Sequence, residues 1–330
     1  DVYVVTPNFP GYSDDEEHEV LRYPSITIPM RSPYRLGAPR LGVNFMKAVK
    51  KIPFDVVHAH CPFSSGRLAL NIARSKNIPI IASFHTKYEQ DLKEILKMDV
   101  AVDYVLKRII EFYNSVNYVW TVNESTVETL RDYGFNGKIE VFNNGIDFKP
   151  CKDKSKAYEE TQRRLGIDKD ELVFLYVGQI IWQKNLKLVV DVLRNIRDRG
   201  LKYKMLFVGG GKAESELKEI VEDYGLEDYI RFLGTVHDRD FLKSIYSRAN
   251  LFLFFSMYDT SAIVVREAAA SACPSILIDA ASASEGVVDE YNGFLSKDSE
   301  KILTDRIIDV TSDKNKLLEV EPHLNPAGLK

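Results

Sequence analysis

Asp259 and Glu267 are two carboxylates with seven residues between them, set in a stretch, Ser256 to Pro274, rich in hydroxyl and small side chains. A strand-like run, Leu251 to Phe255, leads into it and another, Ser275 to Ile278, follows. Between these runs Ile263, Val264, Glu267 and Ala268 fall at helical spacing. Asp259 is placed to cap that helix, with Thr260 as a second candidate. One acid then sits at the helix mouth and the other two turns inside it. A helix mouth at the end of a parallel strand offers free N–H groups and the positive end of the dipole, which suits a phosphate. The plain structural alternative is a cap plus a buried salt bridge between Glu267 and Arg266, because a carboxylate among small residues needs a partner.

Two glycine turns have the same character. Gly178-Gln-Ile-Ile-Trp-Gln-Lys-Asn185 follows the run Leu172 to Val177, so a ligand can approach the backbone while Lys184 offers it charge. The alternative is a strand-to-helix turn with a solvated lysine. Gly209-Gly-Gly-Lys212 occupies the equivalent place one unit later and lacks the spacing of a P-loop. Among the histidines, His85 ends a buried strand and is followed by Thr86, a position at the rim of a cleft. His58 and His60 are expected on opposite sides of their sheet, which would stop them from ligating one metal, with at least one of them packed or capping.

The elements that must carry these residues alternate regularly. Strands are expected over Asp1–Pro7, Ser25–Met30, Asp55–His60, Pro79–His85, Asn117–Val122 and Lys138–Phe142 in the first half. Helices fall between them, including one long helical region from Tyr88 to Ser115. The second half repeats the style, and strands alternating with helices mean βαβ units and a parallel sheet. Asn143 to Asp147 is a turn and Lys149 to Lys156 a lysine-rich polar segment, so the chain divides into a domain over residues 1–147 and another over 148–330. The opening strand has nothing before it, and Glu321 to Lys330 reads as a tail or a truncation.

The 330 residues are comfortable for two domains, and 45% hydrophobic with 28% charged residues is an ordinary globular balance. A formal charge of −4 argues against a general nucleic-acid binder, with room for a local basic face. Cys61, Cys151 and Cys273 show no metal-ligand spacing and no disulfide framework, as expected of a reducing cytosol. No apolar run approaches the roughly 20 residues that span a bilayer, and no signal peptide is present.

In this order and spacing the residues resemble the GT-B glycosyltransferases of retaining family 4, over nearly the whole chain. The family's E-x7-E and small-residue helix appear as Asp259-x7-Glu267 followed by Ala268 to Pro274. Its G-R-x4-K-N phosphate loop is Gly178-Gln179 with Lys184-Asn185, and its interdomain N-G-[IV]-D is Asn144-Gly-Ile-Asp147. The late element ending N-G-F is similar to Glu285 through Phe294. The resemblance implies two Rossmann-like domains facing each other across a cleft. It implies that Glu267 holds the ribose hydroxyls of a nucleotide sugar and that Lys184 neutralises its phosphates. Asp259 and the following Thr260, Ser261, Ala262 and Ile263 would meet the transferred sugar and the diphosphate, with Gly178, Gln179, Gly209 and Thr235 completing the donor side. His85 would join Asp259 and Lys184 as the catalytic group near sugar and acceptor. His60, Thr86 and Tyr88 would line the acceptor side. Such enzymes retain anomeric configuration and need neither cofactor nor metal. This chain departs from the pattern in the shorter Asp259, in Gln179 where arginine is usual, and in the missing amino-terminal glycine-rich loop.

Val57 to Gly66 with Ser83 to Tyr88 looks like the branch that glycosylates diacylglycerol or related membrane lipids. The basic stretch Arg31 to Lys51 would then favour an anionic membrane surface, with a cytoplasmic enzyme peripheral on the inner face. A solvated basic face is the alternative, and a soluble sugar or polysaccharide acceptor stays open. A nucleotide-sugar-binding protein without transferase activity is the reading from a different class.

Overall fold

A computed structural model describes residues 1–11, 14, 18–28, 35–148 and 153–324. Parts of the acidic loop, residues 29–34 of the second strand and basic stretch, Cys151 and the polar tail from 325 onward therefore lie outside the described residues. The chain forms two compact units, Asp1–Asn143 and Asn144–Lys330.

In the first unit β1 (Tyr3–Pro7) pairs in parallel with β2 (Glu19–Tyr23), and β3 (Ser25–Thr27) forms an antiparallel ribbon with β4 (Arg35–Gly37). The expectation of a buried first strand is corrected. Among the described residues β1 pairs with β2 alone, and Val4 remains 42% exposed. Helix α1 (Val43–Lys51) leads to β5 (Val57–Ala59), α2 (Ser64–Lys76) and β6 (Ile80–Phe84). The long helical region is two helices, α3 (Tyr88–Leu96) and α4 (Asp99–Tyr113). Lys97 between them adopts φ +51°, a left-handed stop that usually falls to glycine or asparagine. Then come β7 (Tyr118–Thr121), α5 (Glu124–Asp132) and β8 (Ile139–Val141). The parallel order β5-β6-β7-β8 brings the ends of β5 and β6 side by side.

The second unit opens with α6 (Lys154–Leu165), so the end of the lysine-rich segment is the first turn of a helix capped by Asp153. There follow β9 (Val173–Val177), α7 (Leu186–Asp198), β10 (Lys204–Val208), α8 (Glu214–Asp223), β11 (Ile230–Gly234) and α9 (Arg239–Arg248). Next are β12 (Leu251–Phe254), α10 (Ile263–Ala270), β13 (Ser275–Ile278), β14 (Phe294–Ser296), α11 (Glu300–Ser312) and α12 (Lys314–Val320). All of β9, β12 and β13 is buried, as strands covered on both faces must be. Helix α7 buries Leu186, Val189, Val190, Leu193 and Ile196, one stripe at helical period.

The strand order β11-β10-β9-β12-β13-β14 is the doubly wound order. The chain leaves β9 in one direction along the sheet and returns beside it at β12. A crevice opens there, at the carboxyl ends of β9 and β12, and both loops that the sequence marks emerge into it. A concavity of about 1250 Å³ lies at the opposite ends of the strands, lined by Leu172, Lys204, Tyr229, Asn250 and Pro274. It shares no residue with those loops.

Candidate active site

The backbone of the crevice is built by close approach. The loops after β9, β10 and β11 continue the parallel ladder: Gly178 N donates to Val208 O (3.0 Å), Gly209 N to Gly234 O (2.8 Å) and Ile180 N to Gly210 O (3.0 Å). Gly209 has φ +127°, and a Cβ there would stand 2.0 Å from Gly178 O, so only glycine fits. Gly209→Ala is expected to cost at least about 2 kcal/mol of stability, because strain and a backbone collision coincide. A thermal melt unchanged within 1–2 °C would contradict this account of the loop.

Lys184 ends a short 3₁₀ turn, Trp182–Lys184, held by Trp182 Nε1 donating to Glu216 Oε2 at 2.9 Å. Its side chain is 11% exposed and pairs with Asp259 Oδ1, joining the β9 loop to the β12 loop at the switch point. The ammonium also lies 5.5 Å from the Tyr258 ring centre and 5.8 Å from that of Phe254. Asp259 Oδ2 is buried and has no hydrogen-bond partner among the described residues. The solvated-lysine alternative therefore fails. Gln179 is exposed, and its carbonyl accepts from Tyr176 Oη at 2.9 Å.

The expected caps are corrected. The residue at the mouth of α10 is Ala262, and no side chain caps the helix. Asp259 is drawn to Lys184 instead, and at the helix start Ile263 N donates to Ser261 O and Val265 N to Ala262 O, both at 3.0 Å. Ser261, just before the helix, accepts from Asn144 Nδ2 at 3.3 Å, while the Asn144 carbonyl accepts from Arg266 at 3.0 Å. Arg266 is thus committed to the Asn144 segment, and the expected Arg266–Glu267 bridge gives way to another partner. Tyr246 Oη on α9 donates to Glu267 Oε2 at 3.0 Å. Burial raises the pKa of Glu267, against the Tyr246 bond and the charge of Arg239. Thr235 is exposed beyond β11 and 3.7 Å from where a Cβ on Gly210 would be; Ile263 is 43% exposed.

None of three further participants is marked by the sequence as a contact of the site, although Asn144 stands in the N-G-[IV]-D motif. Tyr246 falls at helical spacing with Leu242 and reads as core, Tyr176 lies in an apolar strand, and Asn144 belongs to a turn. Tyr246 and Asn144 act on distant stretches of chain, Tyr176 on a residue three positions away.

In the first unit the ends of β5 and β6 gather three imidazoles. His60 Nδ1 and His85 Nε2 are 3.0 Å apart in a hydrogen bond, and the two rings stack with centres 5.3 Å apart. His58 lies against His60 at 4.1 Å and bonds Ser83 Oγ at 2.8 Å. The expectation of opposite faces is corrected: side chains alternate with period two, so residues two apart share a face. Tyr88, expected on the acceptor side, begins α3. Its ring is buried against Phe84 and Phe63 and its hydroxyl bonds Thr86 and Tyr113. Among the described residues no group of three or more His, Cys, Asp or Glu could hold a metal ion.

Although His58 is exposed as a residue, its ring packs between His60 and the edge of Trp120. Lost solvation, then the charges of His60 and His85, lower its pKa to about 4. Burial lowers His60 and His85 too. The unfolded chain therefore binds more protons than the fold between the ordinary value of about 6.5 and pH 4. Stability is complete above that window and is lost as pH falls through it. The melting temperature is expected to drop between pH 7 and pH 5, and by less in His58→Gln; equal drops in both proteins would remove His58 as the source.

The chain has a doubly wound sheet in its second unit and a parallel sheet in its first, as a GT-B fold has. Solved structures carry the fold: the Anabaena protein HepE, solved with UDP and glucose, has a TM-score of 0.75 at 17% identity and covers 94% of this chain and 81% of its own. Sucrose-phosphate synthase from Thermosynechococcus elongatus gives 0.74 at 21% identity, covering 99% and 86%. Residues 157–321 match the family Glycosyl transferases group 1 and residues 1–149 match Glycosyltransferase Family 4, and the chain belongs to this glycosyltransferase family. Alpha-monoglucosyldiacylglycerol synthase of Acholeplasma laidlawii is 24% identical over 92% of this chain and 78% of the relative. The protein of the same name from Streptococcus pneumoniae is 26% identical over 83% and 63%. Among the described residues no helix is long and apolar enough to cross a membrane.

Proposed function

We propose that this chain is a retaining, metal-independent hexosyltransferase that moves a glucose-like sugar from a UDP-sugar to the hydroxyl of a membrane glycerolipid. The observation that carries the donor half is the Lys184–Asp259 pair at the switch point, below an uncapped helix. Charge develops on the diphosphate as the sugar leaves, and a fixed cation with fixed N–H donors stabilises it without a metal. Glu267 takes the ribose hydroxyls, Gly178 and Gly209 let the phosphates approach the backbone, and His85 stands on the acceptor side with His60 and Thr86.

The lipid half draws support from the named relatives and from a groove of about 820 Å³ in the first unit. Leu36, Leu41, Phe63 and Tyr104 give it an exposed apolar lining. Arg40, Arg67, Arg74 and Arg108 surround that lining, and of these only Arg108 has a carboxylate partner among the described residues, Glu111. Apolar surface edged by cations suits the interface of an anionic bilayer, and the enzyme would be peripheral there.

The test is transfer of radiolabelled glucose from UDP-glucose into vesicles holding diacylglycerol and phosphatidylglycerol, with EDTA present. Label in an α-linked glycolipid is the expected product. Transfer only to soluble sugars would replace the acceptor, and donor binding without turnover on any acceptor would leave a binding protein.

A further inference from the structure

Tyr246 belongs to no motif that marks the donor site, yet it is the side chain bonded to the carboxylate proposed to read the ribose. Its ring is fully buried on α9, edge-on to Phe148 at 5.5 Å and tilted against Phe252 at 5.9 Å. Arg239 and Lys243 each sit 6.0 Å from the centre of the Phe148 ring, closing the other side of that stack. The ring therefore has one orientation, and its hydroxyl has one acceptor, Glu267 Oε2. Among the described residues no other side chain hydrogen-bonds that carboxylate.

We infer that Tyr246 is a positioning residue for nucleotide recognition: by holding Oε2 it aims Oε1 of Glu267 at the ribose hydroxyls of the donor. This rests on the ribose reading of Glu267. A carboxylate on a helix is free to turn about its last side-chain bond, and that bond is broad in its preferences. A two-point contact with vicinal hydroxyls requires the plane to be fixed, so one donor from the protein leaves the second oxygen for the ligand. Burial also pushes the phenol of Tyr246 well above its ordinary range, which keeps it a donor at every working pH. The same bond opposes the burial that raises Glu267, and so favours the ionised, accepting form.

A clasp between α9 and α10 with no part in recognition would look the same in the free protein, so the test must read the ribose itself. Dissociation constants are measured by calorimetry for UDP, 2′-deoxy-UDP and 3′-deoxy-UDP. The unaltered protein is expected to prefer UDP by about 10–100-fold, the worth of a hydrogen bond to a charged group. In Tyr246→Phe, which keeps the ring and its packing, that preference is expected to shrink to about threefold, while the deoxy analogues bind within about twofold of before. The acid limb of UDP binding should also move to higher pH. Equal weakening for all three nucleotides with an unmoved pH profile would overturn the inference and leave Tyr246 a packing residue. If the unaltered protein shows no preference for UDP over the deoxy analogues, it is the ribose reading of Glu267 that fails. Phe148→Leu, which loosens the Tyr246 ring from a distance, should give an intermediate preference; a full preference there and in Tyr246→Phe would equally overturn the inference.

Discussion

Lys184→Met is expected to lower kcat with UDP-glucose by about 10²–10³-fold, the cost of removing one fixed charge-stabilising group from a leaving oxyanion. The same change strips Asp259 of its partner. Breaking a buried ion pair costs about 3–5 kcal/mol, and the lower end applies because the two side chains keep 11% and 18% of their surface. A loss of activity could then reflect a weakened fold. The double variant Lys184→Met with Asp259→Asn separates the two effects, since it removes both charges and leaves an amide that tolerates the site. It should regain most of the melting temperature and little of the turnover. Turnover near the original value in the stable double variant would end the phosphate role of Lys184.

The pairing also gives the shorter acid a meaning. In the crevice Asp259 reaches Lys184 directly, and its other oxygen, also buried, has no hydrogen-bond partner among the described residues. An unmet buried acceptor costs about 1–3 kcal/mol, which a sugar hydroxyl arriving with the donor would recover.

What could be read from the residues follows a physical division. Strands β9, β12 and β13 and the stripe of α7 were legible because burial imposes a period or a continuous apolar run. At the switch point the β9 loop was legible because glycine and lysine have few reasons to stand together at a strand end, and the β12 loop through the spacing of Asp259 and Glu267. The cap of α10 was not, since Asp259 had two possible partners and the lysine that takes it comes 75 residues earlier in the chain. Tyr246 was illegible for the same reason: its ring obeys the core pattern, and the one polar atom that matters follows no period. The break between α3 and α4 carries no glycine or proline, only Lys97 in a left-handed conformation that packing imposes. The histidine cluster turned on a rule rather than on missing information, because period two already places His58 and His60 on one face.

Glu267 is where function and stability are expected to pull apart. Glu267→Ala should weaken UDP and UDP-glucose binding by on the order of 1–3 kcal/mol, about 5–150-fold, as bonds to a charged buried acceptor are lost. It also leaves the Tyr246 hydroxyl buried without an acceptor, so the alanine variant should melt earlier. Glu267→Gln behaves differently. Burial raises the pKa of this carboxyl, which means that the fold disfavours its ionised form. At neutral pH, above the ordinary carboxylate range, the ionised side chain is therefore a cost to the folded state. The amide keeps an oxygen for Tyr246 and removes the charge, so the melting temperature should rise while nucleotide affinity falls. Such opposed changes mark a residue kept for its ligand at the expense of the fold. A glutamine variant that binds UDP as tightly as the original protein, at any melting temperature, would remove Glu267 from the donor site.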